Sequence, residues 1–288
     1  MKLLQFYLRQ DANRTLRAGV LEGESRVRAF NLTSPWTVRK LIGALTNPSQ
    51  ATKELASLAE GGAIYELNEV QLLAPISDPE KIICVGLNYL DHVIESNAQV
   101  PKVPVLFPKF NNSLAGHEDE IVIPQEVTQC DYEVELAVVI GKTAKRVSVE
   151  AAMNYVFGYT VLNDVSARDI QLNEPQWTRG KAIDGFAPMG PWIVSADEID
   201  NPGRLNISLT LNGQVMQNSN TKELIFDIPH LISFLSNTIT LQPGDIISTG
   251  TPPGVGMGKK PQVWLKPGDV VEATIEHIGT LRNTFVAE

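Results

Sequence analysis

The chain has 288 residues, of which 43% are hydrophobic and 20% charged, a composition that suits a folded domain and excludes disorder, collagen and coiled coil. Thirty-three acidic against 24 basic residues give a formal charge of -9, so nucleic acid and anionic membranes are unfavourable partners. Two cysteines, Cys84 and Cys130, and four scattered histidines leave no Cys or His cluster, so any bound metal must be held by carboxylates. The same two cysteines form no CxxC pair and point to a reduced, cytosolic protein. The apolar run at residues 3–8 contains Gln5 and is followed by Arg9 and Asp11. It falls far short of a span of about 20 residues or of a signal core of about 7–15.

In chain order, residues 1–8 and 15–20 read as strands around a polar turn, with a third near 27–32. Ser34-Pro35 and Asn47-Pro48 each supply a capping residue followed by proline at the first helical position, and the second helix should run to about Glu60 before Gly61-Gly62 stops it. Two prolines in the stretch 72–79 make an extended connector, which places a small α+β domain at 1–75 and a larger domain at 76–288. Strand signals then dominate, at 81–85, 121–123, 133–140, 157–162, 192–194, 205–211, 245–249 and 270–275, with few helices, near 148–155 and 228–236. Asn212-Gly213 is a hairpin turn, and Pro243-Gly244-Asp245 and Pro267-Gly268-Asp269 repeat one turn type before a strand. Many short strands and few helices predict a β-rich α+β roll or sandwich and not a doubly wound sheet.

Two glycine-bearing segments invite a nucleotide-loop reading and fail it. Three residues separate Gly254 from Gly258, where a phosphate loop needs four, and Lys260 replaces the hydroxyl residue; Gly141-Lys142-Thr143 has Leu136 in place of the first glycine. HExxH and GxSxG are absent, which removes zincins and the α/β-hydrolase nucleophile elbow.

The chemistry lies elsewhere. In Asp131-Tyr132-Glu133-Val134-Glu135-Leu136-Ala137-Val138-Val139-Ile140, strand alternation puts Glu133 and Glu135 on one face. Two carboxylates about 6–7 Å apart on a buried face repel unless a cation lies between them; a solvated outer face is the other reading. Asp164 follows the apolar strand 157–162, and three carboxylates suit Mg²⁺ or Mn²⁺ with positions left open for a chelating substrate. Asp169 competes with Asp164 for this place or pairs with Arg168 at the surface. His92 and Glu95 are spaced i and i+3, and meet only on a helix, where Glu95 would fix the imidazole tautomer and make His92 a general base; an ordinary surface His–Glu pair is the alternative. Pro101 and Pro104 keep that helix short, as in a lid. Lys181 reads either as a surface lysine or as a cation facing an anionic substrate.

These motifs together resemble the fumarylacetoacetate hydrolase superfamily. The matching blocks are Gly86-Leu87-Asn88-Tyr89-Leu90-Asp91-His92-Val93-Ile94-Glu95, Asp131-Tyr132-Glu133-Val134-Glu135-Leu136, Asn163-Asp164-Val165-Ser166-Ala167-Arg168-Asp169, and residues 243–256 from Pro243-Gly244-Asp245 through Thr251-Pro252-Pro253-Gly254-Val255-Gly256. Their order and spacing match over residues 76–288, and the first 75 residues are similar to the small N-terminal domain of its domain-containing-protein-2 branch. The resemblance implies a β-roll core, usually homodimeric, with Mg²⁺ or Mn²⁺ on Glu133, Glu135 and Asp164. It also implies a His92–Glu95 catalytic pair on a lid and Lys181 on the reacting oxygens. Thr251 matches a residue that binds the substrate's carboxylate end, with Gln171 and Lys109 as further substrate contacts. Many acylpyruvate-cleaving members carry Gly-Arg-Asn-Tyr where this chain has Gly86-Leu87-Asn88-Tyr89.

The activity expected on this basis is metal-dependent hydrolysis of a carbon–carbon bond in a 2,4-dioxo acid through a metal-stabilised enolate. The alternative is decarboxylation or keto–enol tautomerisation of oxaloacetate at the same site. A non-catalytic binding protein is the third reading. In each, the anionic 2-oxo acid must be attracted locally, by the metal and Lys181, against an acidic exterior.

Overall fold

The structure, a computed structural model, describes residues 1–32, 36–48, 51–95 and 98–288. Among the described residues the chain is a strand-rich α+β protein built on two large sheets, with a two-stranded ribbon of Cys130–Asp131 and Ser166–Ala167 beside them. The larger has twelve strands, and its path runs through Ile64–Glu66, Arg26–Ala29, Arg17–Glu22, Lys2–Leu8, Ala187–Ser195, Val156–Asn163, Val134–Ile140, Ile246–Ser248, Ile82–Gly86 and Val105–Lys109. The smaller has five, in the order Gln214–Asn220, Asn206–Leu211, Val270–Ile275, Gly279–Ala287 and Glu120–Ile123. Lys2–Leu8 pairs antiparallel with Ala187–Ser195, so residues on either side of the proline connector at 72–79 share one sheet.

Val134–Ile140 is buried along its whole length and lies at the centre. One face carries Tyr132, Val134, Leu136, Val138 and Ile140, which pack with Ile207, Leu209, Ala273, Ile275 and Phe285 of the smaller sheet. Ala137 and Val139 on the other face join a second core with Val38, Leu41, Ile42 and Leu55 of two N-terminal helices. A strand covered on both faces reads as a nearly continuous apolar run, so two glutamates at its start stand out chemically.

Most expected elements occur with ends shifted by one or two residues. The helix-start signal at Ser34-Pro35 lies outside the described residues; the first helix spans Val38–Ala44 and is capped by Thr37, whose side chain accepts from Lys40 N. The second spans Ala51–Ala59, and Gly61 follows with φ of 71°. Where a helix was expected at 148–155 there is only a short turn of 3-10 helix, Ala152–Tyr155. Strands Val105–Lys109, Gln214–Asn220 and Gly279–Ala287 extend beyond the strand signals, their polar residues carried at sheet edges or on half-exposed faces. Two single-turn helices, Arg168–Gln171 and Thr178–Lys181, follow the strand that ends at Asn163. Neither is long enough to leave a periodic signal, yet together they deliver Arg168, Gln171 and Lys181 to the site.

Candidate active site

The register of two central strands builds the floor. Val134 lies opposite Asn163, so the residues just beyond that pair, Glu133 and Asp164, come side by side, and Asp164 N donates to Glu133 O at 2.8 Å. Asn163 Oδ1 accepts from Glu133 N at 2.9 Å and fixes the crossing. Ser248, at the end of the neighbouring strand, reaches Glu135: its Oγ donates to Glu135 Oε2 at 2.5 Å, and Gly250 N donates to the same oxygen at 3.0 Å. Glu133, Glu135 and Asp164 are all buried and offer oxygens within 4.8 Å of one another. The strand's alternation thus does place the two glutamates on one face, and that face is buried.

Buried cations surround this floor. Lys181 Nζ donates to Glu133 Oε2 at 2.6 Å and to Asp164 Oδ2 at 2.7 Å. Arg168 donates from Nη2 to Glu133 Oε1 at 2.6 Å, from Nε to Asp131 Oδ2 at 2.9 Å and from Nη1 to Gln171 Oε1 at 2.9 Å. Lys109 lies behind Asp164, with Nζ 2.8 Å from Oδ1. Its N–H groups are directed to the carbonyls of Val165, Lys181 and Phe186. Proximity without a directed hydrogen leaves Asp164 Oδ1 buried and without a hydrogen-bond partner.

The two glutamates respond oppositely to this setting. Desolvation alone would raise Glu133, but the Arg168 guanidinium and the Lys181 ammonium hold it well below the usual carboxylate range. Glu135 has no such partner: burial, together with the Asp164 and Glu133 charges, pushes it up to about 8. Burial would likewise lower Lys181, yet Asp164 and Glu133 hold it above its ordinary value, as an ammonium. The donor set fits a hard divalent cation. Three carboxylates converge, one buried oxygen lacks a donor, and one carboxyl is held protonated near neutrality by burial and then by its neighbours' charge.

Above the floor, Leu90–Glu95 forms a six-residue helix. His92 Nδ1 lies 3.2 Å from Glu95 Oε2, the pair that i, i+3 spacing brings together on a helix. With Nδ1–H donating to the carboxylate, Nε2 carries the lone pair. Glu95 is itself held by Gly254 N, at 3.0 and 3.1 Å from its two oxygens. Asn88 roots the helix: its Nδ2 donates to Phe226 O and Thr249 O, and its Oδ1 accepts from Phe226 N. His92, Glu133, Glu135, Asp164, Arg168, Gln171, Lys181, Thr251, Leu87, Leu172, Trp177 and Met257 are among the residues around a cavity of about 190 Å³.

Several residues sit otherwise than the sequence suggested. Lys109 is absent from the cavity lining and props Asp164 from behind, because its donors are spent on carbonyls. Gln171 reaches the lining but also accepts from Arg168. The Thr251 hydroxyl donates to Val134 O at 3.0 Å and accepts from Gln217 Nε2 at 2.9 Å. Asp169 is not a rival to Asp164; it accepts from Thr128 N and Oγ1 at the surface. Arg168 is buried and pairs with Asp131 and Glu133 in place of Asp169. Asp131 was overlooked although the alternation that unites Glu133 and Glu135 puts it on the same face.

Residues 81–286 match the model of the family described as fumarylacetoacetate (FAA) hydrolase C-terminal. The protein named oxaloacetate tautomerase fahd2, mitochondrial, of Xenopus laevis is 42% identical over 290 residues, covering 99% of this chain and 90% of its own. Among solved structures, the fumarylacetoacetate hydrolase of psychrophilic Exiguobacterium antarcticum superposes with a TM-score of 0.85 at 36% identity, covering 100% of both chains. A maleylpyruvate hydrolase from Sphingobium sp. SYK-6, solved with manganese(II) and pyruvate, gives 0.81 at 31% identity, covering 100% of this chain and 99% of its own. The cytosolic placement is corrected by these relatives, since those of Xenopus, rat, human and cattle are named mitochondrial. Free cysteines report a reducing milieu and carry no address.

Proposed function

The chain belongs to the fumarylacetoacetate hydrolase family, and from that premise we propose that it is a metal-dependent keto–enol tautomerase of oxaloacetate. The observation that carries the reading is a His–Glu pair set over three buried carboxylates, in a chain 42% identical over 99% of its length to a protein named oxaloacetate tautomerase. Carbon–carbon hydrolysis, the first expectation, has less support, because relatives 42% and 43% identical over 99% of the chain carry the tautomerase name, while the two hydrolase structures, which also cover the whole chain, are 36% and 31% identical.

Glu133, Glu135 and Asp164 would hold Mg²⁺ or Mn²⁺, the neighbour crystallised with manganese(II) and pyruvate being the precedent. When bound, such an ion acts as a Lewis acid that polarises a 2-oxo group and acidifies the adjoining C–H. His92 Nε2, its tautomer set by Glu95, takes a proton from C3 of the keto acid. Lys181, kept cationic by the carboxylates, balances the negative charge that develops on the C2 oxygen. The His92 imidazolium then gives the proton to the C2 oxygen, so a C3–H bond is exchanged for an O–H bond, the imidazole is regenerated, and no attacking water is required. The small cavity suits a four-carbon acid.

The test is to add the protein with Mg²⁺ or Mn²⁺ to oxaloacetate and to acylpyruvates, and to follow products by NMR. Faster keto–enol exchange of oxaloacetate without pyruvate build-up is the expected result. Stoichiometric pyruvate with carbon dioxide, or pyruvate with a carboxylic acid, would assign the site to decarboxylation or hydrolysis.

A further inference from the structure

We propose that Asp131 is a positioning residue that joins the carboxylate floor to the His92–Glu95 pair through the glycine-rich loop 254–258. The carboxylate is fully buried and takes four N–H donors. Oδ1 accepts from Tyr132 N at 2.9 Å and from Gly256 N at 2.6 Å; Oδ2 accepts from Met257 N at 3.1 Å and from Arg168 Nε at 2.9 Å. On one side it therefore sets Arg168, whose Nη2 holds Glu133. On the other it pins a loop whose Gly254 N–H holds Glu95, and Glu95 in turn holds His92.

The loop's composition is what this geometry demands. A Cβ on Gly256 would lie 2.7 Å from Asp131 Oδ1 and 1.9 Å from Val263 O, so only glycine lets the main chain come this close to the carboxylate. A Cβ on Gly258 would lie 2.5 Å from the Glu95 carboxyl carbon, and Gly254 has φ of 103° with its Cβ position 2.1 Å from Met216 O. The segment that resembled a nucleotide loop is an anion-binding turn after all, but its anions are two carboxylates of the protein itself. Its amides at Gly254, Gly256 and Met257 are engaged internally, and the loop acts as a strut between floor and lid.

The inference rests on the tautomerase reading only for its kinetic readout. Two variants probe the strut from opposite ends, Asp131→Asn at the floor and Gly258→Ala at the lid. Each is measured by ¹⁵N NMR of the His92 ring, by Mn²⁺ calorimetry and by oxaloacetate enol exchange. Loss of an outer supporting partner costs about 10–100-fold. Gly258→Ala should lose kcat by about tenfold at unchanged KM and shift His92 toward a mixture of tautomers, with Mn²⁺ affinity retained. Asp131→Asn should produce the same His92 shift and a larger kcat loss, with Asp131→Glu no better because the extra methylene displaces the loop. A His92 spectrum unchanged in both variants would overturn the proposal, and so would a His92 shift confined to Gly258→Ala. If Asp131→Asn does not fold, Gly258→Ala decides alone: an unchanged His92 ring removes the loop as the connection. Absence of enol exchange in the wild-type protein would defeat the tautomerase reading and leave the NMR and calorimetric outcomes to judge the strut.

Discussion

The floor and the lid of the site are built on different principles. Asp131, Glu133, Asp164, Lys181 and Arg168 are buried side chains tied by ion pairs of 2.6–2.9 Å and held by paired strands. His92 and Glu95 stand on a helix of six residues whose outer face leaves Ile94 71% exposed and Leu90 46% exposed. Among the described residues it is tied at its root by Asn88 and by the backbone pairing of Tyr89 with Leu224, and at its end by Gly254 N–H on Glu95. A buried charge network tolerates little displacement, because each unpaired member costs its full desolvation. A short helix held by a handful of neutral and loop hydrogen bonds, with only His92 and Val93 of its residues buried, can part from the floor at smaller cost, which suits a group that must admit substrate and then close over it.

Removing a floor residue should have the largest effect. Asp164→Ala leaves Lys109 without a carboxylate and Lys181 with Glu133 alone, so a loss of about 3–5 kcal/mol in unfolding free energy is expected with loss of Mn²⁺ binding. Denaturant unfolding and calorimetry check both; a fully stable variant that still binds manganese would show the floor to be no tighter than the lid. His92→Ala should leave stability and metal affinity nearly intact and slow enol exchange by about 10²–10⁴-fold, measured by NMR exchange rates. Equal loss of metal affinity would mean that the two regions are one unit.

Asn88→Ala sharpens the contrast further. It removes the three hydrogen bonds of a buried side chain at the helix root, and a loss of about 1–3 kcal/mol should appear with faster amide exchange in residues 89–95 and no change in residues 133–140. The smallest effect is a pH dependence confined to the floor. Glu135, pushed up to about 8, is protonated at neutral pH before metal binds, and the metal needs it as an anion. Mn²⁺ binding should release a proton below pH 8, and affinity should weaken as pH falls. Calorimetry in buffers of different ionisation enthalpy reads the released proton directly, and a pH-independent affinity would remove Glu135 from the metal's ligands.

Much of this arrangement was legible in the sequence because it depends on local periodicity. Alternation at 131–140 placed Glu133 and Glu135 together, i, i+3 spacing joined His92 to Glu95, and the order of four blocks pointed to the family. The strand-rich α+β architecture followed from the many short apolar runs and their Gly, Pro and Asn turns. The register of Val134 on Asn163, by contrast, belongs to a pairing between strands, and it alone brings Asp164 beside Glu133. Arg168 and Lys181 reached the floor on single-turn helices too short to show a period. The resemblance implied Lys109 as a substrate contact, and sequence carries no record of which carbonyls surround an ammonium; folding spent its donors behind Asp164. Two lone cysteines and four scattered histidines determined what kind of ligand a metal would need, since the sequence offers no Cys or His cluster. Which three of 33 acidic residues converge, and which cations offset them, was decided only by tertiary structure, because the electrostatics of a buried site depends on distances across strands that no linear spacing contains.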